Sequence, residues 1–241
     1  MVDLREKTVA SLVSDDIRTA SVFKRYQIDF CCNGNKMVSD VCNSKGIDID
    51  ELQIALDSIT HSNAQEHDYN SDNLSTLVDS IINSHHNYIK ENIPLIDDLV
   101  DKVESVHGQN HPELSQIQYL WRGISTELTE HMVKEELALF PYILNIETSI
   151  LTGQKLQKPA FESILNPIKM MEGEHEFAGT GLARIAELTN NYTPPADACT
   201  SFMALYQLLE EFQDDLHIHV HLENNILFPK ALQFENTLET H

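Results

Sequence analysis

The chain has 241 residues, 41% of them apolar, and a formal net charge of −22. So acidic a surface repels phosphate, which argues against nucleic acid and against a membrane as partners, and no apolar run approaches the roughly 20 residues of a membrane span. Low aromatic content, eight Gly and eight Pro speak against a barrel or a sandwich and leave room for long helices.

The four cysteines are Cys31, Cys32, Cys42 and Cys199. Two of them are adjacent and cannot staple distant segments, so they form no disulfide framework and suit a reducing compartment. The N-terminus carries charges on both sides of a short apolar patch and lacks a signal-peptide core, which predicts a cytoplasmic protein. Twelve histidines in an acidic chain are a first hint of metal chemistry.

In chain order, residues 1–59 read as a small helical domain. Val9, Leu12 and Val13 make one apolar turn, and Asp15 or Asp16 can cap a helix carrying Ile17, Ala20, Val22 and Phe23. Asp29-Phe30-Cys31-Cys32-Asn33-Gly34-Asn35 breaks it with turn formers. A third helix from about Lys36 to Lys45 ends at Gly46, and Asp48 or Asp50 caps a fourth. A unit of this size has a marginal core and is expected to dock on its neighbour. Residues 60–72 are polar and aperiodic and read as a linker.

Residues 73–236 hold four long segments with helical periodicity, the pattern of an all-α four-helix bundle. The first carries Leu74, Leu77, Ile81, His86 and Ile89 and passes Pro94. The second starts at His111-Pro112 and carries Leu114, Ile117, Trp121, Ile124, Leu128, His131 and Glu135. The third runs from about Pro159 to Leu188 with Ile168, Met171, His175 and Leu182. The fourth follows Thr193-Pro194-Pro195 with Phe202, Leu205, Phe212, Leu216, His219 and Glu223. Cys42 and Cys199 fall on helical stripes and read as core.

Two of these segments share H-x-x-x-E-x-x-x-L-F-P, once from His131 to Pro141 and again from His219 to Pro229, 88 positions apart. His86 and His175 on the preceding helices are 89 apart, so the bundle reads as two copies of a helix pair. Residues i and i+4 share a helical face, so each His points with its Glu into the apolar stripe. Any one of these histidines alone would read as a core residue bonded to a carboxylate. All six buried without a cation would be costly, and four imidazoles with two carboxylates suit two metal ions sharing both glutamates. His85, His217 and His221 point elsewhere by position, Asp215 lies one turn before His219 and could orient it, and Glu174 reads as surface charge or as the lining of a polar channel.

Cys31 and Cys32 lie in a turn. They are either redox-active or transient metal ligands, with a helix N-terminus downstream to acidify a thiol, or simply small buried residues.

The turn Asp29-Phe30-Cys31-Cys32-Asn33-Gly34 ahead of the H-x-x-x-E-x-x-x-L-F-P bundle resembles the bacterial iron–sulfur cluster repair di-iron proteins, the repair of iron centres family (YtfE/ScdA-like), over nearly the whole chain. Met171-Glu-Gly-Glu-His175 and Thr193-Pro-Pro are similar too. The resemblance implies a haemerythrin-like bundle and a non-haem centre of two iron ions, oxo- or hydroxo-bridged, on His86, His131, Glu135, His175, His219 and Glu223. It implies repair of iron–sulfur clusters damaged by nitric oxide or peroxide, with damaged iron–sulfur proteins as partners and nitric oxide or another diatomic as small ligand. Cys31 and Cys32 match the family's cysteine pair, candidates for passing iron or electrons, and a homodimer is admissible. Iron donation would be stoichiometric and nitric oxide reduction catalytic, so enzyme status stays open. The family has Gly-Gly where this chain has Asn33-Gly34; Asn tolerates a left-handed turn. Gly179, four residues after His175, stands where oxygen-carrying haemerythrins place a histidine. That weakens the alternative reading, a haemerythrin-like oxygen, redox or nitric oxide sensor.

Overall fold

The structure, a computed structural model, describes residues 4–60, 67–157 and 159–239. Of the expected linker, residues 61–66 lie outside the described residues. Among those described the protein is helical throughout, and the one β-bridge joins Thr8 to Met37.

Four short helices come first: α1 (Val9–Asp15), α2 (Thr19–Arg25), α3 (Val38–Lys45) and α4 (Ile49–Thr60). Each boundary has a local cause. Thr8 caps α1 by accepting from the Ser11 N–H. Asp16 accepts from Arg18 ahead of α2. Gly46, at φ +68, ends α3, and Asp48 rather than Asp50 caps α4.

Four long helices follow. The first, α5, joins Leu74–Ser80, Ile81–His86 and Asn87–His107. The second, α6, joins Glu113–Lys134, Glu135–Leu139 and Phe140–Thr152. The third, α7, is Leu165–Leu188, and α8 joins Thr200–Leu222, Glu223–Leu227 and Phe228–Glu239. In α5, α6 and α8 the middle stretch is a π-helical turn. Asn87 donates to the Ile82 carbonyl, Phe140 to Glu135 and Phe228 to Glu223. Pro141 and Pro229 follow directly; lacking an N–H, they do not demand the carbonyl that an α-helix would offer.

Two expectations are corrected. The third segment starts at Leu165 rather than Pro159, because Glu162 turns the chain at φ +67 and the buried Glu235 carboxylate holds Ile164 N–H, Ser163 Oγ and Tyr142 Oη. Cys199 is exposed rather than core: it precedes the first residue of α8, with its Sγ 3.2 Å from His107 Nε2. Cys42 is buried as expected.

The interior holds two apolar clusters. One spans the bundle from Val103 and Leu114 to Leu128, Met132 and Val220, and is continuous with the small unit through Val22, Phe23, Phe30 and Leu52. The other packs Leu77, Ile81, Leu139, Phe140, Met171, Leu222 and Phe228 at the opposite end. Between them lies a layer of polar side chains. Burial of the small unit's apolar face on the bundle stabilises it at roughly 25 cal/mol per Å², which is what a unit of some 60 residues needs.

Candidate metal centre

The polar layer contains His86 from α5, His131 and Glu135 from α6, His175 from α7, and His219 and Glu223 from α8, each at 0% exposure. The i and i+4 spacing puts each His–Glu pair on one helical face, and the π-turns beginning at Glu135 and Glu223 widen the helix where the carboxylates turn inward.

The ligating atoms fall into two groups, His86, Glu135, His219 and Glu223, and His131, Glu135, His175 and Glu223, with all atoms of a group within 4.8 Å of one another. Both carboxylates belong to both groups. Glu135 Oε2 is 3.3 Å from the Nε2 atoms of His86 and His131. Glu223 meets His219 Nε2 through Oε1 and His175 Nε2 through Oε2, each at 3.0 Å. Despite these distances, His86 Nε2, both Glu135 oxygens and Glu223 Oε2 have no aligned hydrogen bond. They converge on shared points rather than on each other.

Three of the four rings are oriented from outside. His86 Nδ1 donates to Glu136 Oε1 at 2.8 Å, and Lys90 holds the same oxygen at 2.6 Å. His131 Nδ1 donates to Glu174 at 2.9 Å, and Lys134 holds that carboxylate at 2.5 Å. His175 Nδ1 lies 2.9 Å from Asn224 Oδ1. A proton on Nδ1 leaves the Nε2 lone pair facing inward. His131 and His175 then turn two Nε2 atoms on each other at 3.1 Å, an approach that a shared proton or a metal ion between them satisfies.

Without metal, protons do that work. Burial pushes His86 and His131 down, but the Glu135 and Glu223 carboxylates outweigh it and hold them up at about 10 and about 9. Burial also raises Glu223, yet the surrounding histidines, His219 first, hold it well below the usual carboxylate range. The residues present fit a pair of divalent ions: four imidazole nitrogens, whose protons metal would displace, and two shared carboxylates, all fully buried.

Cys31 Sγ lies 3.7 Å from Cys32 Sγ and 3.4 Å from Asp29 Oδ1, and Asp29, Cys31 and Cys32 form a third cluster of ligating atoms. The expected acidification of a thiol does not hold at Cys31. Its hydrogen bond to Cys32, its burial and the Asp29 charge raise it well above its ordinary value, and α3 starts only at Val38. The turn needs no left-handed residue, since neither Asn33 nor Gly34 has positive φ. Gly34 is required for space: a Cβ there would lie 2.3 Å from the Phe30 carbonyl oxygen and 2.7 Å from Ala10 Cβ. The turn borders a cleft of about 780 Å³ between the small unit and the bundle, lined by both cysteines, Arg25, Lys45, Gly179 and His217. Gly179 lies beside Cys32, whose Sγ would be in ordinary van der Waals contact, at 3.8 Å, with a Cβ placed there.

Several residues read as peripheral have definite places. Asp215 bonds His85 Nδ1 at 2.9 Å rather than orienting His219, and the His85 ring, buried, stacks on His219 at 5.6 Å. His221 is buried in the docking seam, reaching Ser14 Oγ at 3.3 Å and the Phe30 carbonyl at 3.4 Å. Glu174 serves His131 instead of a solvated face. The sequence reading missed Glu136 and Asn224 as outer partners; each adjoins an inner-layer residue in the chain, as Glu174 does, but that adjacency alone does not mark the role.

The Hemerythrin HHE cation binding domain model matches residues 77–231. A domain of unknown function, ScdA_N, matches residues 5–60. A protein of Haemophilus influenzae named "Probable iron-sulfur cluster repair protein" is 38% identical over 213 residues, 88% of this chain and 90% of that one. The "Iron-sulfur cluster repair protein YtfE" of Yersinia pestis strain Pestoides F is 34% identical over 234 residues, 97% of this chain and 100% of its own. That of Yersinia pseudotuberculosis serotype O:1b has the same identity over the same span.

Proposed function

This chain belongs to the haemerythrin HHE cation-binding family and, within it, to the iron–sulfur cluster repair proteins, and from that premise we propose that it restores damaged iron–sulfur clusters by supplying iron from a two-iron centre in its bundle. His86 and His219 would hold one iron and His131 and His175 the other, with the Glu135 and Glu223 carboxylates common to both positions. When bound, the pair supplies exchangeable, redox-active metal with open positions for a small ligand such as nitric oxide. The observation that carries this reading is the 3.1 Å approach of two Nε2 atoms inside a fully buried layer of shared carboxylates.

The chain's own residues set the terms. Glu136, Glu174 and Asn224 keep three imidazoles aimed inward, and the two apolar clusters exclude water above and below. The Cys31–Cys32 turn, in the small domain of residues 1–59, opens on the cleft and is the candidate to receive iron or electrons on its way to a client. Residues 60–72 join that domain to the bundle of residues 73–236. Free thiols at Cys31, Cys32, Cys42 and Cys199 suit the cytoplasm. No helix among the described residues is long and apolar enough to cross a membrane.

The test is reassembly of a nitric oxide-damaged iron–sulfur enzyme. The iron-loaded protein should restore client activity. Glu135→Ala, which removes a carboxylate common to both positions, should lose bridged metal and restore less than about a tenth as much. No restoration by the loaded wild type, where a simple ferrous donor succeeds, would overturn the proposal.

A further inference from the structure

The outer partners follow a rule around the bundle. Each sits beside an inner-layer residue on its own helix and serves the histidine of the helix before it. Glu136, next to Glu135 on α6, takes the Nδ1 proton of His86 on α5. Glu174, next to His175 on α7, takes that of His131 on α6. Asn224, next to Glu223 on α8, faces Nδ1 of His175 on α7. Closing the circle requires a residue beside His86 on α5 to serve His219 on α8.

That place is occupied by His85, and it does not serve. Its ring lies parallel to His219, 5.6 Å between centroids and 2° between planes, and its Nδ1 is engaged by Asp215 Oδ1 at 2.9 Å. His219 Nδ1 is buried without a hydrogen-bond partner among the described residues. Such outer partners fix ring orientation and raise ligand basicity, and losing one typically weakens metal affinity roughly 10–100-fold.

We infer that the two metal positions are held unequally: the position between His131 and His175 retains its ion, and the position between His86 and His219 releases its ion first. This inference rests on the two-iron reading above and adds to it which iron is the donated one. The helix of the weakly anchored ligand also faces the small unit. His221 on α8 reaches the Phe30 carbonyl, and Asn225 donates to the Cys31 carbonyl at 3.1 Å. A ligand of the releasable position, His219, thus lies on a helix that hydrogen-bonds the cysteine turn, while α7, which carries His175, borders that turn at Gly179.

The experiment uses the full chain, loaded anaerobically with ferrous iron, counted by elemental analysis and then mixed with excess colorimetric ferrous chelator. Two irons should leave in two phases of equal amplitude, with rate constants roughly tenfold or more apart. Asn224→Ala removes the anchor of His175 and should speed the slow phase while leaving the fast one alone. Glu174→Ala, acting on His131 from another helix, should do the same if Asn224→Ala fails to fold. Loss of both irons in a single phase from the wild type, or acceleration of the fast phase alone by these variants, overturns the inference and leaves the two-iron reading intact. A chain that takes up fewer than two irons before chelator is added overturns that reading and the inference with it.

Discussion

Two carboxylates at zero exposure cannot stand unpaired, and in the metal-free chain the cations facing Glu135 and Glu223 are the imidazoliums of His86 and His131. This fixes the sign of the pH dependence. A histidine raised from 6.5 to about 10 contributes stability that is complete below about 6.5 and is lost as pH climbs towards 10. Glu223, lowered, contributes stability present above its ordinary value of 4.5 and lost on acidification. The melting temperature of the metal-free protein should therefore fall between about pH 6.5 and 10, and metal should remove that fall by replacing the protons. Titration with divalent metal at about pH 7.5 in buffers of different ionisation enthalpy should show proton release from His86 and His131; metal uptake without proton release would contradict the assignment. At this scale the six inner residues were legible because a repeated H-x-x-x-E-x-x-x-L-F-P at matched spacing hardly arises by chance. Glu174 and Glu136 were not, because a glutamate beside a ligand has the same local sequence whether it is solvated or holds a ring on the next helix.

Helices were legible wherever periodicity and caps agreed, as at Gly46 and Asp48. The π-turns at Glu135 and Glu223 were not, although the prolines that tolerate them stand in the motif. A register shift of one hydrogen bond is settled by what the widened turn packs against. The turn after Cys32 shows a second limit. By sequence, Asn33 stands in for a family glycine because Asn tolerates a left-handed turn, whereas in the structure Asn33 has no positive φ and the demand at Gly34 is for space. Gly34→Ala should destabilise the small unit by about 1–3 kcal/mol, because its Cβ meets backbone at 2.3 Å. Gly123, mid-helix in α6, where an added Cβ would meet only Phe177 Cζ at an ordinary 3.7 Å, is the control: Gly123→Ala should stabilise by roughly 0.5–1 kcal/mol. Thermal unfolding of both variants checks the pair, and equal effects would refute the spatial account of Gly34.

The small unit's marginal core predicts docking, and the structure shows one hydrophobic cluster running through both parts. The partners in the seam were beyond reach of the sequence, since His217 and His221 are recognised as docking residues only once α8 is seen against Phe30. Burial pushes His221 down to about 4, so it is neutral at physiological pH and can accept from Ser14 Oγ. Asn225→Ala removes the bond to the Cys31 carbonyl and should expose the cysteine turn, read as faster amide exchange over residues 29–34 with the bundle unchanged; unaltered exchange there would show that the apolar seam alone holds the unit.

The proposed iron chemistry depends on the polar layer being a two-metal centre. The direct measurement is metal content per chain in anaerobically purified protein, with His219→Ala beside it. About two irons are expected in the wild type and one or none in the variant. No metal, or a single zinc ion untouched by His219→Ala, would contradict it.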